Sequence, residues 1–176
     1  MVRAIKMNSR AQAIFDHAQV YERAARLLNM AGVSDPALLL PSMVNAALSL
    51  ELYFKALYVL DHGVEFKVNG RHSHDFVALF ERLHEKTKEH LLARFNTALS
   101  ARDATDIDML ERSMKVVVPR DLQTNLAEWA SIFVDLRYAY DFIDKHKGNQ
   151  RTMMFFPEIR DAVHSAIIDH ESTRKP

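Results

Sequence analysis

Residues 41–62 constrain this chain more than any other stretch. Met43, Ala46, Ala47, Leu50, Phe54, Leu57 and Leu60 recur at three- and four-residue steps and make one broad helical face. Leu48, Leu52, Tyr53 and Val59 carry apolar groups around the rest of the axis. A helix that is apolar nearly all round belongs at the centre of a bundle, with other helices against it. Pro41 suits its first turn and Gly63 its C-terminal cap.

The rest of the chain agrees with a bundle. Only 4 glycines and 5 prolines in 176 residues leave too few turns for a meander of short strands. A hydrophobic share of 48% with 26% charged residues excludes a disordered chain, and the length is that of one domain, 1–176. We therefore expect an all-α fold, an antiparallel helical bundle of four to six helices. The first helix spans residues 9–30, with Ser9 as its cap and Ile14, Ala18, Tyr21, Ala25 and Leu28 inward. Residues 63–72, with Asn69-Gly70, form a loop or a small hairpin. A third helix covers 73–83, and 91–99 is helical again. Residues 100–108 read as an exposed polar connector and 109–114 as a short helix. A long helix follows over 119–147, with Trp129, Phe133 and Leu136 in its core stripe, and a last one over 157–170.

Charge narrows the function. Lys and Arg together number 23, as do Asp and Glu, so any nucleic-acid contact must come from a local patch. The absence of cysteine removes disulfides and thiolate metal sites and fits a cytoplasmic setting. No export signal and no membrane span are expected. The Gly-rich phosphate loops and the common hydrolase and zinc-protease motifs are missing from the sequence. No cofactor is expected.

Three clusters remain. On a helical wheel Val44, Leu48, Glu51, Lys55 and His62 share a sector about 60° wide. Glu51 and Lys55 are then either an ion pair on the one exposed strip of the central helix or the lining of a cleft. The second cluster is Arg71-His72-Ser73-His74-Asp75. Ser73 or Asp75 caps the third helix, and one histidine near Glu51 or Lys55 would tie the loop to the central helix; no metal site is expected. The third is Arg137-Tyr138-Ala139-Tyr140-Asp141, where Arg137 pairs with Asp141 or offers its fork to a phosphate. Arg137 is also the expected partner of Glu51, which would leave Lys55 and His74 to meet a ligand.

In this order the three pieces resemble the HEPN superfamily of small helical domains. The residues that carry the likeness are Ala47-Leu48-Ser49-Leu50-Glu51-Leu52-Tyr53-Phe54-Lys55-Ala56-Leu57, then His74-Asp75-Phe76 with Leu79-Phe80, then Leu136-Arg137-Tyr138 with Tyr140-Asp141. The resemblance implies a nucleotide- or RNA-associated module that forms a homodimer, in a toxin–antitoxin, phage-defence or stress setting. A cognate antitoxin or nucleotidyltransferase would be its partner. The three clusters together make Glu51, Lys55, Arg71, His74, Asp75, Arg137, Tyr138 and Asp141 the expected ligand contacts. Ribonuclease branches of the family carry Arg and His with four to six residues between them. Fourteen arginines and nine histidines give about two such pairs by chance. The one present, Arg10 with His17, lies in the first helix; Arg160 and His164 are one turn apart and miss the spacing. The catalytic residues are therefore left unassigned. A metal-independent ribonuclease and a helical adaptor without nucleic acid stand as the alternatives. The bulky run Met153-Met154-Phe155-Phe156 and the last helix are candidates for the dimer contact, or else pack under their own bundle.

Overall fold

The computed structural model describes residues 8–69, 73–102, 104–135 and 155–173. The described residues form seven α-helices and no strand. α1 spans Ser9–Ala31 and α2 spans Leu39–His62, entered through a 3-10 turn at Pro36–Leu38. α3 is Phe76–Glu81, α4 Glu85–Ser100, α5 Ala104–Met114, α6 Leu122–Asp135 and α7 Phe156–Thr173.

α2 is the axis of the bundle. α1 lies along it, and α3, α6 and α7 pack on it; α7 also packs on α4, and α3 on α6. Leu50, Phe54, Leu57 and Leu60 are fully buried. Gly63 ends α2 at φ 73°, donating its N–H to the Val59 carbonyl at 2.8 Å. With the turn before it, α2 is long and apolar enough to cross a bilayer. Here other helices of the same chain cover much of that surface.

α1 meets α2 through three alanines seven residues apart, Ala11, Ala18 and Ala25, all buried. Small side chains at that period let two helices approach closely. Ser42 on α2 fastens the open end of the pair, its hydroxyl donating to the Ala25 carbonyl at 2.8 Å. The cap of α1 is Asn8 rather than Ser9: its side chain accepts the Arg10 N–H at 2.9 Å.

Two expected boundaries move. Residues 104–108 are not connector but the start of α5, because Ile107, alone in the polar run, is buried and anchors the turn. α4 ends at Ser100, and the described residues hold seven α-helices where four to six are expected. The third helix is shorter than 73–83 because Asp75 caps it, accepting the Ala78 N–H at 2.9 Å. Residues 63–69 are a loop. The expected extension of α6 to 147 lies outside the described residues. Phe155 is buried edge-on against Phe95, and Phe156 packs on Trp129 at 5.7 Å. Both phenylalanines of the bulky run thus serve their own bundle; Met153 and Met154 lie outside the described residues.

Candidate functional site

Glu51, Lys55 and His74 come together. Glu51 is 1% exposed, so it sits on no open strip of α2. One oxygen accepts from Lys55 Nζ at 2.5 Å, and the other lies 2.8 Å from His74 Nδ1. A buried carboxylate needs such partners, since an unpaired charge in the interior costs several kcal/mol, on the order of 3–5. The His74 contact ties the loop before α3 to the central helix, as the sequence suggests. Lys55 and His74, expected to stay free for a ligand, are themselves partners of Glu51. Asp75 is spent on the α3 cap. Arg71, Arg137, Tyr138 and Asp141 lie outside the described residues.

A second polar centre joins α1, α2 and α7. The Tyr53 hydroxyl donates to Glu22 Oε2 at 2.5 Å, and Arg160 donates to Glu22 Oε1 at 2.9 Å. Arg160 also pairs with Asp161 at 2.7 Å. Burial, and then Glu22, push the Tyr53 hydroxyl well above the ordinary range, so it stays a donor. One turn on, the His164 ring meets Tyr53 edge to face at 4.3 Å and Phe15 at a tilt at 5.3 Å. Its Nε2 is buried without a partner among the described residues, and burial lowers its pKa from 6.5. Arg160 and His164 thus face different surroundings, the first an acidic pair and the second two aromatic rings. Sequence reading placed Tyr53 only among the apolar groups and missed Glu22. Nothing in local spacing joins residues so far apart.

Arg160 leads into a cleft of about 470 Å³, within the usual range for ligand sites. Its lining includes Arg26 of α1, Arg102 after α4 and Arg160 of α7, with Trp129, Phe155 and Phe156 as an aromatic wall. Among the described lining residues Glu22 is the one carboxylate, and Glu158 and Asp161 beside the cleft also pair with Arg102 and Arg160. Arg102 is held by Glu158 at 2.7 Å and lies 5.4 Å from the Phe155 ring centre. Arg26 is exposed and has no partner among the described residues.

A third centre gathers around Asp61, whose side chain is 1% exposed. It accepts the His84 N–H at 2.9 Å and the Thr87 hydroxyl at 2.8 Å, and lies 3.3 Å from His170 Nε2. Burial alone would raise its pKa, but the bonds from His170, His84 and Thr87 outweigh it and the net shift is downward. Asp61 so joins the ends of α2 and α7 to the start of α4. Among the described residues no group of three acidic or histidine side chains is placed to hold a metal ion.

A smaller cleft of about 350 Å³ opens between α1, α2 and the loop after α2. Arg10, His17, Lys55 and Glu65 line it over a floor of Ile14, Leu52, Val59 and Phe66. No family model, curated protein or solved structure matches the chain.

Proposed function

We propose that this protein is a HEPN-like binding module for a nucleotide, free or at the end of an RNA strand, held in the arginine cleft. The observation that supports this most is Arg26, a guanidinium with no partner among the described residues, on a cleft that also holds Arg102, Arg160 and an aromatic wall. Guanidinium forks match phosphate oxygens, and Phe156, the one member of the aromatic wall that is only partly buried, offers a base an edge to stack on, an interaction on the order of 1–3 kcal/mol. Arg102 and Arg160 are paired with Glu158, Glu22 and Asp161, so Arg26 is the cation left to meet a phosphate, and binding should weaken with salt at a slope of roughly one phosphate contact.

Titration calorimetry with nucleoside mono- and diphosphates and with a short single-stranded RNA tests the reading. Arg26→Ala should weaken binding about tenfold, the scale of one charge-assisted bond, with an unchanged melting temperature. Heat with free nucleotides points to a small ligand; heat with RNA alone points to a strand end. Absence of heat with all of them refutes the proposal.

The same reading carries a homodimer. Val20, Leu27, Met30 and Val33 are at least half exposed along and just beyond α1, an apolar strip at roughly helical spacing. Sedimentation at tens of micromolar should give twice the 20.2 kDa chain mass; a monomer overturns this part alone.

A further inference from the structure

We infer that the cleft between α1 and α2 is a second binding site, one that takes a small organic anion with an apolar body, such as an aromatic carboxylate. The cleft has the two halves such a ligand needs. Its floor is apolar, made by Ile14 and Leu52 from the two helices, Val59 one turn further along α2, and Phe66 from the loop. Its rim is cationic, with Arg10 and Lys55 across from one another and His17 two turns along α1 from Arg10. A pocket of about 350 Å³ is at the lower end of those that hold small ligands, and such pockets join an apolar lining to a few placed polar groups.

The position of the anionic head is marked by the protein's own side chain. Arg10 Nε and Nη2 both close on a single oxygen of Glu65, at 2.5 Å each. One edge of the guanidinium thus grips a single carboxylate oxygen, and a ligand carboxylate could use the same edge with both of its oxygens. The pair is not a buried structural bridge: the side chains are 62% and 30% exposed, and surface pairs of that kind contribute little to stability. Glu65 belongs to a loop, whereas Arg10 and Lys55 stand on the two closely packed helices. The helix pair thus sets where the two cations start, and Glu65 reaches Arg10 from the loop. A ligand carboxylate would take the place of Glu65 on Arg10 while its apolar body covers Leu52, Val59 and Phe66. Burying that body supplies free energy that Glu65 does not. Lys55 stays on Glu51, so the ligand's charge is met by Arg10.

The probe is anilinonaphthalene sulfonate, an anion on a flat apolar body, with the uncharged N-phenylnaphthylamine as its control. Wild-type protein at neutral pH should enhance the fluorescence of the anion with one saturable site per chain and bind it more tightly than the control. Arg10→Ala should weaken the anion about tenfold and leave the control unchanged. Glu65→Gln should tighten the anion, because the competing carboxylate is gone. Ala13→Phe, an exposed position at the cleft's edge, should block both dyes. Thermal melts of each variant confirm that it is folded. No saturable enhancement in wild type, or equal anion affinity in wild type, Arg10→Ala and Ala13→Phe, overturns the inference. Arg26→Ala should leave the dye unaffected, which separates this site from the arginine cleft.

Discussion

Glu51 tolerates burial because each of its oxygens has its own cation or imidazole. Lys55 is the stronger holder: its side chain is 16% exposed against 56% for His74, so less water competes with it. Lys55→Met should therefore cost about 3 kcal/mol in urea unfolding, the scale for stranding a buried charge. His74→Ala should cost under about 1 kcal/mol. Adding Glu51→Gln to Lys55→Met should recover part of the loss, since no charge is then left unpaired; a double variant as unstable as the sum of its parts would refute the account. This node was legible in the sequence because its members are close along the chain. Glu51 and Lys55 are one turn apart, and His74 stands just before a helix start. The Glu22–Tyr53–Arg160 node was not, because α1, α2 and α7 meet only after folding, and a tyrosine on an apolar helix carries no mark of which carboxylate it will meet.

Helices show the same division between local and distant causes. α2 could be read to within two residues because its composition decides its fate alone: Leu50 and Phe54 have nowhere to go but inside. Leu50→Asp places a charge among fully buried neighbours and should abolish the cooperative melt. α5 was misread because its first turns are polar, and only packing shows that Ile107 points inward. At the end of α2 the cost of a substitution is purely backbone. Gly63 has φ 73°, and a Cβ there would meet nothing within 4 Å. Gly63→Ala should thus destabilise by about 1 kcal/mol through the left-handed conformation alone, measured as a shift in urea midpoint at constant slope. An unchanged midpoint would mean that α2 ends differently in solution.

Across the molecule, equal numbers of acidic and basic residues leave stability to a few inward-facing titratable groups, and two of them give acid sensitivity of the same sign. His164 is half-buried between Phe15 and Tyr53; burial lowers its pKa, and Arg160 adds to this, against opposing pulls from Glu22 and Asp161. Below its ordinary 6.5 the unfolded chain takes up a proton that the native ring resists, so stability falls as pH drops through that value. Asp61 acts lower down. Its folded pKa lies below 3.8, so the stability it confers is complete above 3.8 and is lost as pH falls through the folded value, when the carboxylate that joins α2, α4 and α7 is protonated. Melting temperature followed from neutral to acid pH should therefore decline in two stages. His164→Phe keeps an aromatic ring between Phe15 and Tyr53 and removes the proton site, so it should flatten the first stage only. Asp61→Asn should be less stable than wild type at neutral pH, and the gap should close only below pH 3.8. If His164→Phe follows the wild-type curve through the first stage, the ring is not held neutral by burial, and the packing of α7 against α1 and α2 would need a different explanation.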